Sequence, residues 1–357
     1  MNILLNGVGR IGKAIIRIAL DTKAFNIVAI NEINSNINNI AYSINYDSTY
    51  GRYHDIFTVN DNYIQNKTTK IKILNKSNLK DIDLKLLNID FIIDSSGINH
   101  KYKNLYNLNI KAIFLTHPSK IADINIILGV NEKKLNIKKH KIISTSSCNA
   151  TALLPILKIL NDNFKIKFGD ITTIHPMLNH QKVLDSSCID SKNREVTCNF
   201  EFGRSATQNI IPSKTTTIEA CSYILPYINN DIFSSSSLRV PTSTVGTINV
   251  TLFLKNSCSK EELLELFFKY EHNQNFNILL NNTQPLVSTD FQAQTYTSII
   301  DHRFTDIKKN KLLKLIIWYD NEWGYASKVI DIVKLTKKQY ENWYFKKFKS
   351  FICWRWK

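Results

Sequence analysis

"NILLNGVGRIGKAIIRIALD", Asn2 to Asp21, decides the fold class. It opens on the short apolar strand "NILLN" and closes on a helical pattern with Ile11, Ile15 and Ile18 on one face. Between them, Gly7-Val8-Gly9-Arg10-Ile11-Gly12 spells G-x-G-x-x-G. Glycines alone mark only a turn, but a strand before and a helix after give the context a dinucleotide requires. Gly7 permits the tight turn, Gly9 lets backbone approach a pyrophosphate, and Gly12 lets helix and strand pack closely. The helix N-terminus at Arg10 and Ile11 then faces the phosphates. Glu32 ends the second strand region, "NIVAI" (Asn26 to Ile30) with two residues after it, where an acid can hydrogen-bond the adenosine ribose. A carboxylate there repels the extra phosphate of NADP, so the cofactor reads as NAD.

The strand–helix alternation continues through "IDFIID" (Ile89 to Asp94), "KAIFLT" (Lys111 to Thr116), "INIILGV" (Ile124 to Val130) and "HKIIST" (His140 to Thr145). Short apolar strands between helical segments predict a parallel α/β sheet of Rossmann type. Past Cys148 the texture changes. "DITTIHP", "RVPTSTVGTINVTLFL" and "LLKLIIWYD" are longer, Thr-rich and partly alternating, as an antiparallel sheet requires. The expected organisation is an NAD-binding domain of residues 1–147 and 321–357, the latter a C-terminal helix, and an α+β catalytic domain of residues 148–320. The serine run Ser234 to Ser237 reads as a loop.

Bulk properties bound the function classes. The chain of 357 residues, 43% of them hydrophobic, has room for two cores. It lacks an apolar run long enough for a membrane span, and "MNILLNGVGRIG" lacks a signal-peptide cleavage pattern. Six cysteines without CxxC spacing indicate neither a zinc site nor a disulfide framework. The expected location is the cytoplasm, with thiols reduced and no membrane partner. A net charge of +16 invites a nucleic-acid reading. The lysines, however, are spread along the chain amid excess Ile and Asn, all residues of A/T-rich codons, which argues against a nucleic-acid partner.

"SSCNATALLP", Ser146 to Pro155, sets one cysteine before an apolar helical segment. A helix N-terminus lowers a thiol's pKa, and a nearby histidine would hold the pair charged and move the proton. His175 in "TTIHPM" ends a strand early in the second domain. By position alone such a histidine is more often structural than catalytic.

"NGVGRIG", "YDSTYG", "SSG" (Ser95 to Gly97), "GVN" (Gly129 to Asn131), "SSC", "TTIH", "QNIIP", "RVPT" and "YDNEWGY" occur in an order that resembles the glyceraldehyde-3-phosphate dehydrogenase superfamily over residues 1 to 335. "INE" (Ile30 to Glu32), "YDSTYGR", "FLTHP" (Phe114 to Pro118), "LLPILKILND" and "IHPMLNHQKVLD" lean toward its erythrose-4-phosphate dehydrogenases. The resemblance implies a homotetramer, NAD, and oxidation of a phosphorylated aldose, in the service of pyridoxal 5'-phosphate synthesis. It implies Cys148 as nucleophile and His175 as base. Cofactor contacts would include Ser96, Thr116 and Asn321, with Tyr325 packing nearby. Substrate contacts would include Ser147, Asn149, Arg204, Thr215, Thr216 and Arg239.

Three departures bear on the acceptor of the acyl group. The usual Cys-Thr-Thr-Asn is Cys148-Asn149-Ala150-Thr151, Phe202 stands where an arginine is frequent, and Leu178 replaces a threonine of the glycolytic pattern. The stretch Asp185 to Arg204 is longer than usual. Fewer phosphate contacts favour water over phosphate at the thioester; the alternatives are a phosphorylating glycolytic enzyme, a decayed and slow one, or an RNA- or partner-binding protein on the same fold. The tail Lys337 to Lys357 is expected as an extension or a helix packed on the nucleotide domain.

Overall fold

The computed structural model describes residues 1–98, 106–187 and 200–355. Two compact units form: Met1–Ile126 with Asn131–Thr145 and Ala326–Lys357, and Ile127–Val130 with Ser146–Tyr325. The second unit therefore takes Ser146, Ser147 and Asn321–Tyr325, which the sequence reading assigned to the nucleotide domain. Side-chain bonds cause this. The Tyr325 hydroxyl donates to the Ser146 carbonyl at 2.9 Å, and Asn321 Oδ1 accepts from the Val245 N–H at 3.0 Å.

In the first unit the strand order is Ile124–Asn125, Ile142–Ser144, Ala112–Leu115, Phe91–Asp94, Asn2–Asn6, Asn26–Asn31, Lys70–Leu74, Tyr63–Gln65 and Thr58–Asn60. The first seven run parallel, and the last two turn back antiparallel. Leu4, Ile92, Ile113 and Ile142 are wholly buried in one core cluster, which explains why these strands read as continuous apolar runs. Asn2–Asn6 lies between Asn26–Asn31 and Phe91–Asp94, so the chain departs to either side of it. In such sheets ligands bind beyond the carboxyl ends of the strands at this switch point. The helix Trp323–Arg355 continues into the tail, and within this unit the Tyr340 hydroxyl donates to the Lys111 carbonyl at 2.9 Å.

In the second unit the order is Ile211–Ser213, Phe233–Arg239, Ile166–His175, Gly246–Leu254, Leu312–Tyr319, Ser298–Asp301 and Leu279–Asn282, with Asp306–Lys308 also on Leu312–Tyr319. Most pairs are antiparallel. Ile166–His175 and Phe233–Arg239 are parallel, in a register that sets His175 opposite Arg239. Ser234 to Ser237 are part of that strand and not a loop. Serine is a poor strand former, but here all four are paired in register with Asp170–Thr173, Ser237 is also paired with Ser213, and Ser236 Oγ lies 3.3 Å from Thr172 Oγ1. The helix Cys148–Phe164 buries Leu153, Leu154, Leu157 and Leu160 in a cluster with Ile171, Val250, Leu252, Leu315 and Ile317. At about 1.5–3 kcal/mol per large side chain, this packing anchors the helix whose first residue is Cys148. Among the described residues no helix is long and apolar enough to cross a membrane.

Candidate active site

The cofactor cleft of the first unit is built on strand ends. Asn31 Nδ2 donates to Asn6 Oδ1 at 2.8 Å, Asn6 Nδ2 to Asp94 Oδ1 at 3.0 Å, and the Ser96 hydroxyl to the same Asp94 oxygen at 2.7 Å. This polar row fixes the carboxyl ends of three adjacent strands. Thr116 Oγ1 donates to the Asp94 carbonyl at 3.1 Å and extends the row by one strand. Gly7, Gly9, Glu32 and Ser96 line the cleft above it. The glycines have separate reasons. Gly7 sits at φ +91° with Ser96 backbone 2.6 Å from where a Cβ would stand. A Cβ on Gly12 would lie 2.3 Å from the Gly7 carbonyl oxygen. Beside Gly9 there is open space. No packing among the described residues requires that glycine, so the room it leaves suits a pyrophosphate at the start of helix Arg10–Asp21.

Glu32 accepts from the Val8 N–H and the Asn34 N–H, both at 2.9 Å. It thus ties the glycine turn to the second strand while keeping lone pairs for ribose hydroxyls. Wild-type protein is expected to prefer NAD to NADP by at least about 100-fold in kcat/KM, and Glu32→Ala to narrow the ratio by about tenfold or more. Comparable efficiency with both cofactors would place Glu32 away from the ribose.

Arg10 has a different job from the one expected. Its guanidinium pairs with Asp47, which also accepts from the Thr49 and Tyr50 N–H groups at 2.9 and 3.1 Å. Although burial opposes it, these donors hold the Asp47 carboxyl below its usual range. "YDSTYG" is therefore a loop pinned to the cofactor helix. Arg10, like Ile11, can serve phosphate through its backbone, while its side chain holds the loop.

In the second unit, Cys148 Sγ lies 3.9 Å from His175 Nε2. His175 Nδ1 is 2.9 Å from the Pro176 carbonyl oxygen, which can only accept. Nδ1 therefore carries a proton, and Nε2 presents a lone pair to the sulfur. Desolvation works against the charged pair expected from the sequence. Burial pushes the Cys148 thiol up to about 11 despite the pull of the Arg239 charge. Burial, with Arg239 adding to it, pushes His175 down to about 3. Both shifts favour a thiol and a neutral imidazole in the empty site.

Arg239 is a candidate anion site. Its Nε and Nη1 are sealed from solvent and have no hydrogen-bond partner among the described residues. A buried guanidinium without a carboxylate is costly, and it accounts for itself only with an anionic ligand. Ser147 caps the Cys148 helix, its Oγ accepting from the Ala150 N–H at 3.3 Å, which leaves its proton for a ligand. Thr215 is half-buried beside Thr217, and Thr216 is exposed.

Two substrate assignments change. Asn149 is buried, its Oδ1 accepting from the Tyr319 hydroxyl at 2.6 Å and its Nδ2 donating to Thr217 Oγ1 at 3.2 Å. It faces protein. Arg204 is exposed and pairs with Asp185 at 2.8 Å, while Phe202 stacks on His180 with ring centroids 5.7 Å apart. Residues 188–199, with Cys188 and Cys198, lie outside the described residues, as does the side chain of Cys353.

"YDNEWGY" organises the same unit. Tyr319 holds Asn149. Asp320 accepts from the Glu322 and Trp323 N–H groups at 2.9 and 2.7 Å and from Ala293 N–H at 2.8 Å. Asn321 Oδ1 accepts from Thr244 Oγ1 and the Val245 N–H, so toward a ligand Asn321 can only donate. Tyr325 is buried, and its hydroxyl steadies Ser146, which sits at φ +62° two residues before Cys148. Tyr325 thus serves the cysteine turn. Tyr319 and Thr217 are site residues that the sequence reading missed; Tyr319 stood in the quoted motif, and Thr217 in the "KTTT" run had no signal of its own.

A dinucleotide cleft in one unit, and a cysteine–histidine pair beside an unpaired arginine in the other, define an NAD-dependent dehydrogenase that oxidises an anionic aldehyde. The comparisons agree. Residues 1–102 match the glyceraldehyde 3-phosphate dehydrogenase NAD binding domain, and residues 147–321 match the C-terminal domain of that enzyme. "Glyceraldehyde-3-phosphate dehydrogenase 2" of Staphylococcus aureus (strain MRSA252) is 35% identical over 347 residues, covering 95% of this chain and 98% of its own. The protein of that name from Bacillus subtilis (strain 168) is 31% identical over 337 residues, covering 94% and 96%. The chain belongs to the glyceraldehyde 3-phosphate dehydrogenase family.

Proposed function

We propose that the protein oxidises D-erythrose 4-phosphate to 4-phospho-D-erythronate with NAD, and that water cleaves the thioester. The aldehyde carbon takes the Cys148 sulfur while His175 Nε2 takes the thiol proton. The imidazolium, steadied at Nδ1 by the Pro176 carbonyl, returns that proton to the alkoxide oxygen, aided by the Cys148 N–H. NAD, when bound, would supply the two-electron acceptor for the substrate's hydride, and His175 takes the hydroxyl proton of the hemithioacetal. The acyl group remains on sulfur. His175 first gives up that proton to solvent; water then loses a proton to the neutral imidazole, which passes it to the departing sulfur, releasing the acid and restoring the thiol. Arg239 and Thr215 hold the substrate phosphate in this reading, and Asn321 donates to the nicotinamide carboxamide.

The observation that carries the choice of water is the inward-turned Asn149. Phosphorolysis needs a second anion site at the thioester, and the side chain after the nucleophile is instead held at both ends by Tyr319 and Thr217. Phe202 and the Asp185-paired Arg204 offer no replacement. NADH formation from erythrose 4-phosphate should change less than about twofold when inorganic phosphate is added, and glyceraldehyde 3-phosphate should be the poorer substrate. A strong phosphate requirement with 1,3-bisphosphoglycerate as product would return the protein to the activity named in its relatives. We further propose a cytoplasmic homotetramer and a role in pyridoxal 5'-phosphate synthesis.

A further inference from the structure

We infer that Asn149 is a positioning residue that sets the direction of a hydrogen-bond chain and thereby makes Thr215 a donor for the substrate's phosphate. The inference rests on the dehydrogenase reading above. The chain runs Tyr319–Asn149–Thr217–Thr215, with successive separations of 2.6, 3.2 and 2.7 Å.

Its direction follows from which atoms can donate. The buried Tyr319 hydroxyl has Asn149 Oδ1 as its acceptor among the described residues. Turning the amide over would set its NH2 against that hydroxyl and leave the phenolic proton without an acceptor. With Oδ1 toward Tyr319, Nδ2 must donate to Thr217 Oγ1. The Thr217 proton is then left for Thr215 Oγ1, which also accepts from the Thr217 backbone N–H at 3.2 Å. Thr215 accepts twice from protein, so its own proton points away from the chain. Such a hydroxyl donates to an anion, and the preceding bonds polarise it for that role.

Asn149→Asp reverses this. A carboxylate accepts from both Tyr319 and Thr217. The Thr217 and Thr215 oxygens, 2.7 Å apart, then hold together only if Thr215 donates inward. Thr215 is lost to the phosphate without being mutated. A carboxylate beside Cys148 also slows attack, but it does so for any aldehyde.

The test is the ratio of kcat/KM for erythrose 4-phosphate to that for erythrose, in wild type, N149D, T215V and the double variant. N149D and T215V should each lower the ratio by about tenfold or more, the scale of one hydrogen bond to a charged group. The double variant should lower it no further than T215V alone. T217V, which leaves the neighbour of the nucleophile intact, should lower it about threefold and guards against misfolding of N149D. A merely structural role for Asn149 would depress both aldehydes together. An unchanged ratio in N149D, or additive losses in the double variant, overturns the inference while leaving the dehydrogenase standing. Wild-type protein that oxidises neither aldehyde overturns both.

Discussion

Cys148→Ser should lower kcat by about 10⁴-fold or more while leaving NAD binding intact, because an alkoxide-poor serine cannot replace the sulfur that carries the acyl group. His175→Asn should cost about 10²–10⁴-fold, the scale of a lost general base. The pH dependence separates two views of the pair. With the thiol pushed up to about 11 and His175 down to about 3, the fraction of thiolate in the empty site rises about tenfold per pH unit below the thiol's pKa. Alkylation of Cys148 by iodoacetamide should therefore climb steadily from pH 7 to 10. It should still outpace Cys221 and Cys258, which are fully buried. A plateau reached below pH 7 would mean a thiolate–imidazolium pair at rest. Equal labelling of Cys148 and Cys258 in the native protein would remove the case for Cys148 as nucleophile.

Replacing Arg239 should act in opposite directions on activity and stability. Arg239→Met keeps the length of the side chain and removes a guanidinium whose Nε and Nη1 are buried without partners among the described residues. Loss of the phosphate contact should lower kcat/KM for the phosphorylated substrate by about 10²–10³-fold. The empty protein should gain about 1–3 kcal/mol, because an uncompensated buried donor set no longer has to be desolvated. Inorganic phosphate should raise the Tm of wild type more than that of the variant, since only wild type retains the charge that recognises it. Destabilisation of Arg239→Met in phosphate-free buffer would show that Arg239 is held by protein and is not waiting for an anion.

Periodicity and local spacing determined a good deal by themselves. Asn2–Asp21 has the strand, glycine turn and helix in immediate succession, so the glycine turn is a local feature and was readable as one, while the rest of the cleft comes from Asn31, Asp94 and Ser96 on other strands. Cys148 at a helix start and His175 at a strand end are likewise local facts. Their meeting is not, since 3.9 Å between Sγ and Nε2 depends on a helix and a sheet packing through Leu153, Leu157, Ile171 and Val250. Ser234 to Ser237 was misread because serine's weak strand propensity is overridden by pairing in register with Asp170–Thr173, a non-local partner. The protonation of the Cys148–His175 pair divides in a related way. A helix terminus is visible in sequence, whereas the desolvation that opposes it belongs to the packed site. Asn149 shows the division most plainly: its position beside the nucleophile pointed to substrate, but the tertiary fold brings Tyr319 and Thr217 to its two ends. An amide that is both donor and acceptor takes the role its neighbours leave it, and only the folded chain supplies those neighbours.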